Sequence, residues 1–194
     1  MDIQILKKPE SLSWETIHDV LEKAHQSNRE KGIVMRKPSL PAEELAKEVG
    51  EDGVMLVAMD GSCVVGTAAL LIRESSNWYN KGLYGYWCFA AVLPEYAGKG
   101  VYKRLCAERD KIIQDKGLNG LLLDTHHKNK RVITISRKIG FKRVGIRIFD
   151  DHWNVIMFKW LNGSDHSSFE CFYHYCISLV RMQLFRIKRA LVNG

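Results

Sequence analysis

A glycine-rich turn between a strand and a helix constrains this chain more than any other stretch. The apolar residues 88–93 have the composition of a strand, residues 101–116 have the apolar spacing of a helix, and Gly98 and Gly100 lie between them. Glycines at such a junction leave backbone N–H groups accessible, and the positive end of the helix dipole lies at the same place. The turn is therefore predicted to bind an anion, and phosphate is the usual one.

Positive charge is concentrated around this turn. The chain has a formal net charge of +7, and residues 97–147 hold fourteen Lys and Arg against four Asp and Glu. These basic residues are spread over helix and strand patterns without a nucleic-acid-binding motif, which argues against nucleic acid as the partner. A small molecule that carries phosphate groups accounts for the same charge.

The composition is that of a globular protein, with 46% hydrophobic and 26% charged residues in 194. The sequence has no apolar run of about 18 residues and no signal-peptide pattern at its N-terminus, so a cytoplasmic protein is expected. Its five cysteines are odd in number and lack C-x-x-C spacing, which argues against a zinc site and a disulfide framework. No metal is expected.

The hydrophobic periodicity predicts an α/β domain with a mixed sheet over residues 1–161. A polar connector covers residues 27–40. The predicted order is a strand at residues 2–6, helices at 14–26 and 41–49, strands at 54–59, 63–72 and 83–93, a helix at 101–116, an apolar strand at 118–125, a helix at 129–139, and strands at 142–149 and 153–160.

Residues 162–194 differ in character and are predicted to form a linker followed by a basic amphipathic helix. Apolar residues recur at steps of three and four from Phe169 to Leu191, and the last turns carry Arg181, Arg186 and Arg189. Three interpretations stay open: the helix packs on its own domain or on a partner subunit, it lies on a membrane surface, or it is a flexible tail.

Three families of phosphate-binding turn can be compared with residues 95–102. A P-loop requires Gly-Lys followed by Ser or Thr, but Gly100 follows Lys99. A dinucleotide-binding turn requires a third glycine where this chain has Lys103, and it belongs near the start of a βαβ unit. Both of these motifs match the chain weakly.

The third comparison succeeds. Residues 92–100, the helix that follows them, Asn129 and the Gly140-Phe141 pair together resemble the GNAT superfamily of acyl-CoA-dependent N-acyltransferases. The predicted element order is also that of the family. The resemblance implies a largely antiparallel sheet of about seven strands, with acetyl-CoA as the cosubstrate and an amine as the acceptor.

The resemblance also implies which residues bind the cosubstrate. Backbone amides of residues 98–102 would hold the pyrophosphate, the end of the preceding strand would pair with the pantetheine arm, and the Asn129 amide would contact that arm. The residues concerned are Ala91, Val92, Leu93, Gly98, Lys99, Gly100, Val101, Tyr102 and Asn129.

Two positions depart from the family pattern. Glu95 replaces a Gln or Arg, and Ser136 aligns with the tyrosine that protonates the departing thiolate in many members. Ser136, Tyr86 and His126 are the predicted catalytic residues, and further candidates for the base are Cys88, Glu74 and His127.

The acceptor is predicted to be recognised by residues 27–40 and by the loop at 75–82, which contains Trp78 and Tyr79. The leading hypothesis is an acetyltransferase that moves an acetyl group from acetyl-CoA to an amine by direct attack, with O-acylation if the acceptor is a hydroxyl. The alternative, motivated by Ser136 and the basic helix, is a non-catalytic acyl-CoA-binding or membrane-associated adaptor. A homo-oligomer or a peripheral membrane contact through that helix is also considered.

Overall fold

The computed structural model describes residues 2–34, 40–161, 163 and 166–193, and of residues 188–193 only the helical backbone. Its order confirms the predicted one. The elements are β1 (Ile3–Lys7), α1 (Trp14–Glu30), α2 (Ala42–Val49), β2 (Val54–Asp60), β3 (Cys63–Ser75), β4 (Gly82–Val92), a 3₁₀ turn (Pro94–Tyr96), α3 (Val101–Lys116), β5 (Gly120–His126), α4 (Lys130–Lys138), β6 (Lys142–Ile148), β7 (Trp153–Trp160) and α5 (Ser168–Asn193).

The seven strands form one sheet in the order β1-β2-β3-β4-β5-β7-β6. Neighbouring strands are antiparallel except β4 and β5, which are parallel and are joined by the crossover helix α3. The mixed, largely antiparallel α/β fold predicted from the sequence is therefore confirmed.

β4 and β5 pair over a very short distance. Their register contains Gly85 opposite Leu121 and Tyr86 opposite Leu122, although β4 continues to Val92. In the same region β4 bulges against β3, because Ala69 pairs with Cys88 whereas Thr67 pairs with residue 91. The two strands consequently part beyond Tyr86.

Phe89 lies at the centre of this bulge with a φ of 51°, a left-handed conformation that is uncommon for a residue with a side chain. The buried Thr67 hydroxyl donates a hydrogen bond of 2.9 Å to the Phe89 carbonyl. This bond fixes the bulge from the neighbouring strand, and a bulged strand bends and twists more strongly.

Two apolar layers cover the sheet. One face packs against α1 and α2 through buried residues such as Ile17, Leu21 and Leu45. The other face packs against α3 and α4, and the predicted α3 stripe is buried, with Leu105 fully inaccessible. Apolar burial on both faces is what holds a sheet of this kind rigid around its gap.

α1 is longer than its predicted range. It continues from residue 26 to Glu30, and Arg29 in its last turn forms an ion pair of 2.9 Å with Glu22. The polar composition of that turn led to its assignment to the connector. Residues 35–39 of the predicted connector lie outside the described residues.

α5 packs along the outer strand β6 through one face. Its buried side chains are Cys171, Tyr175 and Met182, and the Tyr175 ring meets the Arg143 guanidinium at 5.5 Å. The start of the helix is held by Trp78, whose ring stacks on His174 at 4.2 Å. The predicted boundary at residue 161 directly follows β7, and the C-terminal helix lies against the domain.

Candidate functional site

A cavity of about 740 Å³ opens where β4 and β5 part. It is lined by the last turns of α1, the second half of β4, the glycine turn, the end of β5, α4, and residues at the β6–β7 end of the sheet. Because the sheet is open at this point, the cavity lies between elements from both of its faces. This is the place where a ligand can reach the middle of the sheet.

The glycine turn borders this cavity with free backbone donors. Gly98 and Gly100 have φ angles of 77° and 79°, and Gly100 is the N-cap of α3. The Arg104 N–H donates the first backbone hydrogen bond of the helix, to the Gly100 carbonyl. Among the described residues, nothing accepts from the amides of Gly98, Gly100, Val101, Tyr102 and Lys103.

Free amides at a helix N-terminus, together with the helix dipole, form an anion site. A Cβ placed on Gly98 or Gly100 would meet no atom within 4 Å, so the space over the turn is open to a ligand. Glu95 is exposed in the 3₁₀ turn and is not among the cavity-lining residues. The acidic departure from the family pattern therefore lies outside the cavity.

Most of the residues predicted to bind the cosubstrate line the cavity, and two do not. Ala91, Val92, Gly98, Gly100, Val101, Tyr102 and Asn129 line it. Leu93 packs instead against the apolar layer beneath α1, and the Lys99 ammonium lies 5.0 Å from the Tyr96 ring centre. The binding role of these residues stays a prediction.

Asn129 is the N-cap of α4 and is buried at the cavity wall. Its Oδ1 accepts from the Val132 amide at 3.3 Å, and its Nδ2 donates to the Thr125 hydroxyl at 3.2 Å. A carboxamide nitrogen carries two hydrogens, so one remains for a ligand.

Four polar side chains from four strands meet in the cavity. The Tyr86 hydroxyl donates a short hydrogen bond to Asp124 Oδ1. Arg147 Nη1 and Asn154 Nδ2 donate to Asp124 Oδ2 at 3.2 and 2.9 Å. The Asp124 side chain is 4% exposed, so this carboxylate is held inside the protein by three donors. Tyr86 was predicted, and the other three residues were not.

The environment of Tyr86 keeps its hydroxyl protonated. Burial, followed by the negative charge of Asp124, raises the pKa of Tyr86 far above its ordinary value of 10. The phenol consequently donates its proton to Asp124, and its oxygen also interacts with the Arg147 guanidinium.

His126 is buried in a stack of aromatic rings. Its ring lies 4.4 Å from that of His127 and 5.0 Å from that of His152. Burial, with the neighbouring histidines and Lys128, lowers the pKa of His126 to about 4. Its Nδ1 accepts from the Lys128 amide at 3.1 Å, so the neutral ring carries its hydrogen on Nε2. This geometry suits a donor better than a base.

His25 reaches the cavity from the C-terminal part of α1, within the helix predicted at residues 14–26. It is 7% exposed, and the Asn28 side-chain amide meets its Nδ1 at 3.1 Å. Burial and the nearby Arg29 lower the pKa of His25 to about 4. The imidazole is therefore neutral at physiological pH, as is that of His126.

The remaining predicted residues divide between the cavity and the surface. Ser136 on α4 and Cys88 on β4 are buried and line the cavity. Glu74 is exposed near the end of β3, and His127 stacks on Trp153 at 4.6 Å. Neither of these two side chains is among those that line the cavity.

Trp78 and Tyr79, the two aromatic residues predicted to recognise the acceptor, pack against other parts of the fold. Trp78 stacks on α5, and the Tyr79 ring meets that of Phe158 at 5.9 Å. Neither lines the cavity. The cavity is lined instead by residues of α1 and of the β6–β7 region, including Phe149 and His152.

Within the described parts of the chain, no cluster of three or more His, Cys, Asp and Glu could hold a metal ion. No helix in this described part of the chain has the length and apolar character to cross a membrane.

The comparison with protein families matches residues 14–141 to the acetyltransferase (GNAT) family. This match runs from the start of α1 past the end of α4 and includes the glycine turn, β4 and β5, whereas β6, β7 and α5 lie beyond it. The chain belongs to the GNAT acetyltransferase family. A comparison with curated protein sequences finds no match.

Solved structures share the fold. The PaiA N-acetyltransferase from Thermoplasma acidophilum, in complex with coenzyme A, is 26% identical, with a TM-score of 0.60 over 83% of this chain and 100% of that one. The ribosomal-protein-S18-alanine N-acetyltransferase from Escherichia coli is 15% identical, with a TM-score of 0.62 over 86% of this chain and 99% of its own. A GNAT family acetyltransferase from Elizabethkingia anophelis with acetyl-CoA bound is 15% identical, with a TM-score of 0.58 over 82% and 98%.

The two neutral buried histidines predict how stability depends on pH. The pKa of each is about 4 in the folded protein against an ordinary 6.5, so the unfolded chain binds protons first as the pH falls. Their stabilising contribution is therefore present above pH 6.5 and lost towards pH 4. Between pH 7 and pH 5 each histidine should cost on the order of 2 kcal/mol of unfolding free energy.

Denaturant unfolding of the His25→Gln and His126→Gln variants checks this expectation. Each variant should lose less stability than the wild type between pH 7 and pH 5, whatever its stability at pH 7. Gln26→Ala, at an exposed position next to His25 on α1, changes no titratable group, so it is the control and should keep the wild-type slope. Equal pH slopes in all four proteins would contradict the assignment.

Proposed function

We propose that this protein transfers an acetyl group from acetyl-CoA to an amine by direct attack. The observation that carries the proposal is a single cavity that joins the free amides of the glycine turn to the buried Tyr86–Asp124 pair. One end is suited to a diphosphate and the other to an amine. The gap between β4 and β5 lies between them.

The glycine turn and β4 would hold the cosubstrate. The five free amides at the start of α3 supply donors for the pyrophosphate. Beyond Tyr86 the pairing of β4 with β5 ends, which leaves room for the pantetheine arm beside β4. The second hydrogen of the Asn129 carboxamide is available to that arm. The coenzyme A bound to the Thermoplasma relative supports this assignment.

The Tyr86–Asp124 pair would meet the acceptor. A phenol oxygen has two lone pairs, so the Tyr86 oxygen would accept an N–H from the amine in addition to its contact with the Arg147 guanidinium. The Asp124 carboxylate behind it favours positive charge at that position. The attacking nitrogen becomes positively charged as it forms a bond to the acetyl carbon. The pair is therefore arranged to stabilise that nitrogen and to take up its proton.

The amine attacks as the neutral base, after its ammonium proton has passed to water. Its nitrogen forms a bond to the carbonyl carbon of the acetyl thioester, and the carbon–sulfur bond breaks. The nitrogen gives one proton to Tyr86 Oη while the phenol proton passes to Asp124 Oδ1, and Asp124 then returns one proton to water. The departing thiolate takes up one proton from water, and Ser136 in the cavity wall is the residue proposed to relay it.

A second candidate function is acyl-CoA binding without transfer. The observation that favours it is Ser136, because a serine hydroxyl is far less acidic than the tyrosine that it replaces. Both functions require the glycine turn. They differ in whether thiol is released in the presence of an amine.

Release of free thiol from acetyl-CoA, followed over a panel of amines, tests the proposal. The panel contains a peptide α-amine, a polyamine, an amino sugar and a hydroxyl compound, and the product is identified by mass spectrometry. Amine-dependent release with an acetylated product supports transfer. Binding of acetyl-CoA without release from any amine would support the second function, and absence of binding would contradict both.

Two substitutions of Gly100 that differ in charge but hardly in shape test the anion site. Asp and Asn tolerate the left-handed conformation and serve as helix N-caps, so both Gly100→Asp and Gly100→Asn should fold. Asp places a negative charge beside the pyrophosphate and should bind coenzyme A at least roughly tenfold more weakly than Asn. Isothermal titration calorimetry measures the difference, and equal affinities would rule out a pyrophosphate at this turn.

Removal of one hydroxyl tests the acceptor end. Tyr86→Phe keeps the buried ring and should lower kcat by about 10²- to 10⁴-fold. The affinity for acetyl-CoA should change little. Tyr84→Phe is the matched control, because Tyr84 lies on the same strand and face, outside the cavity lining. An equal kcat for the two variants would remove Tyr86 from the mechanism.

A further inference from the structure

α5 carries an apolar surface that the fold leaves uncovered. Six large side chains, here called the α5 apolar surface, are between 55% and 78% exposed. They are Phe169, Phe172, Tyr173, Val180, Leu184 and Ile187. Large apolar side chains at high exposure along one helix indicate a surface that binds something.

This surface lies opposite the face that packs on β6. With 3.6 residues per turn, its six positions fall within an arc of about 120° around the helix axis. The packed residues Cys171, Tyr175 and Met182 are 2%, 8% and 3% exposed and lie on the other side. As far as Met182, the domain therefore covers one side of α5 and presents the other to solvent. Phe185, three residues further on, is 52% exposed although it lies outside the apolar arc.

The helix is exposed on all sides after Met182. Met182 is the last buried side chain described on α5, and every side chain from Gln183 to Ile187 is exposed. These five residues make more than one full turn, so the domain covers no face of the helix there. The helical backbone extends to Asn193.

Cations border the apolar arc on both sides. In the helical projection, Arg181 lies about 60° beyond one edge of the arc and Arg186 about 40° beyond the other. The helix sequence adds Lys188 and Arg189 and contains one acidic residue, Glu170. The His166 ring meets that carboxylate at 2.9 Å.

We propose that the α5 apolar surface lies on an anionic membrane surface. Apolar and aromatic side chains would enter the boundary between headgroups and acyl chains, while the flanking arginines reach the lipid phosphates. A helix that lies in the interface is consistent with the finding that no described helix could span a membrane.

The charges favour lipid over a second copy of the chain. Two such helices would bring their basic edges together with few acids to pair with them, and both chains carry a net charge of +7. An anionic bilayer supplies the opposite charge along the whole length of the surface. The basic flanks therefore match headgroups.

Vesicle co-sedimentation of the full chain tests the proposal. Phosphatidylcholine vesicles are compared with vesicles that also contain phosphatidylglycerol, and the protein should bind the anionic ones and be released by high salt. Phe172→Ser with Leu184→Ser should abolish binding. The matched control is Leu6→Ser with Leu83→Ser, at two exposed positions outside α5, which should bind like the wild type. Arg181→Gln and Arg186→Gln should each weaken binding about fivefold.

Four results would overturn the proposal: no binding to either vesicle, equal binding to both, binding that survives the α5 serine substitutions, or loss of binding in the Leu6/Leu83 control as well. Sedimentation velocity of the same proteins tests whether a second copy of the chain, and not lipid, covers the surface. A concentration-dependent dimer that the α5 substitutions abolish would show that a second copy covers the surface. Circular dichroism confirms that each variant keeps its helices.

Discussion

The gap between β4 and β5 is the constraint on which the rest of the site depends. It follows from one irregularity, the bulge at Phe89, which the Thr67 hydroxyl holds from the neighbouring strand. β4 separates from β5 after a short parallel pairing. The glycine turn that follows β4 consequently lies beside the cavity. The free amides of α3 and the interior of the sheet consequently open into the same space.

The same gap explains why a carboxylate is tolerated in a central strand. Asp124 lies on β5 where β4 no longer covers it, and a buried charge without partners would be costly. Arg147 from β6 and Asn154 from β7 supply those partners together with Tyr86. The outer strands of the sheet are therefore connected directly to the proposed chemistry.

The sequence predicted the element order and the glycine turn because both depend on local patterns of apolar residues and glycines. It did not predict the cluster around Asp124, since residues 118–125 were assigned as a uniformly apolar strand. Asp124, an acidic residue inside that apolar strand, was the feature of the sequence that could have indicated the cluster. Arg147 and Asn154 could not be found by spacing, because β7 inserts between β5 and β6 and brings distant residues together. The spacing of apolar residues predicted the α5 helix but did not show which of its faces is buried.

Amide hydrogen exchange with and without acetyl-CoA measures whether the ligand occupies the glycine turn and the gap between β4 and β5. The ligand is expected to slow exchange in peptides covering residues 98–103 and the second half of β4, while exchange in β1 and β2 is unchanged. Slowed exchange at the glycine turn reports the occupied amides, and slowed exchange in β4 reports a ligand in the gap. Unchanged exchange at both places under saturating ligand, or protection confined to other elements, would contradict binding in the gap.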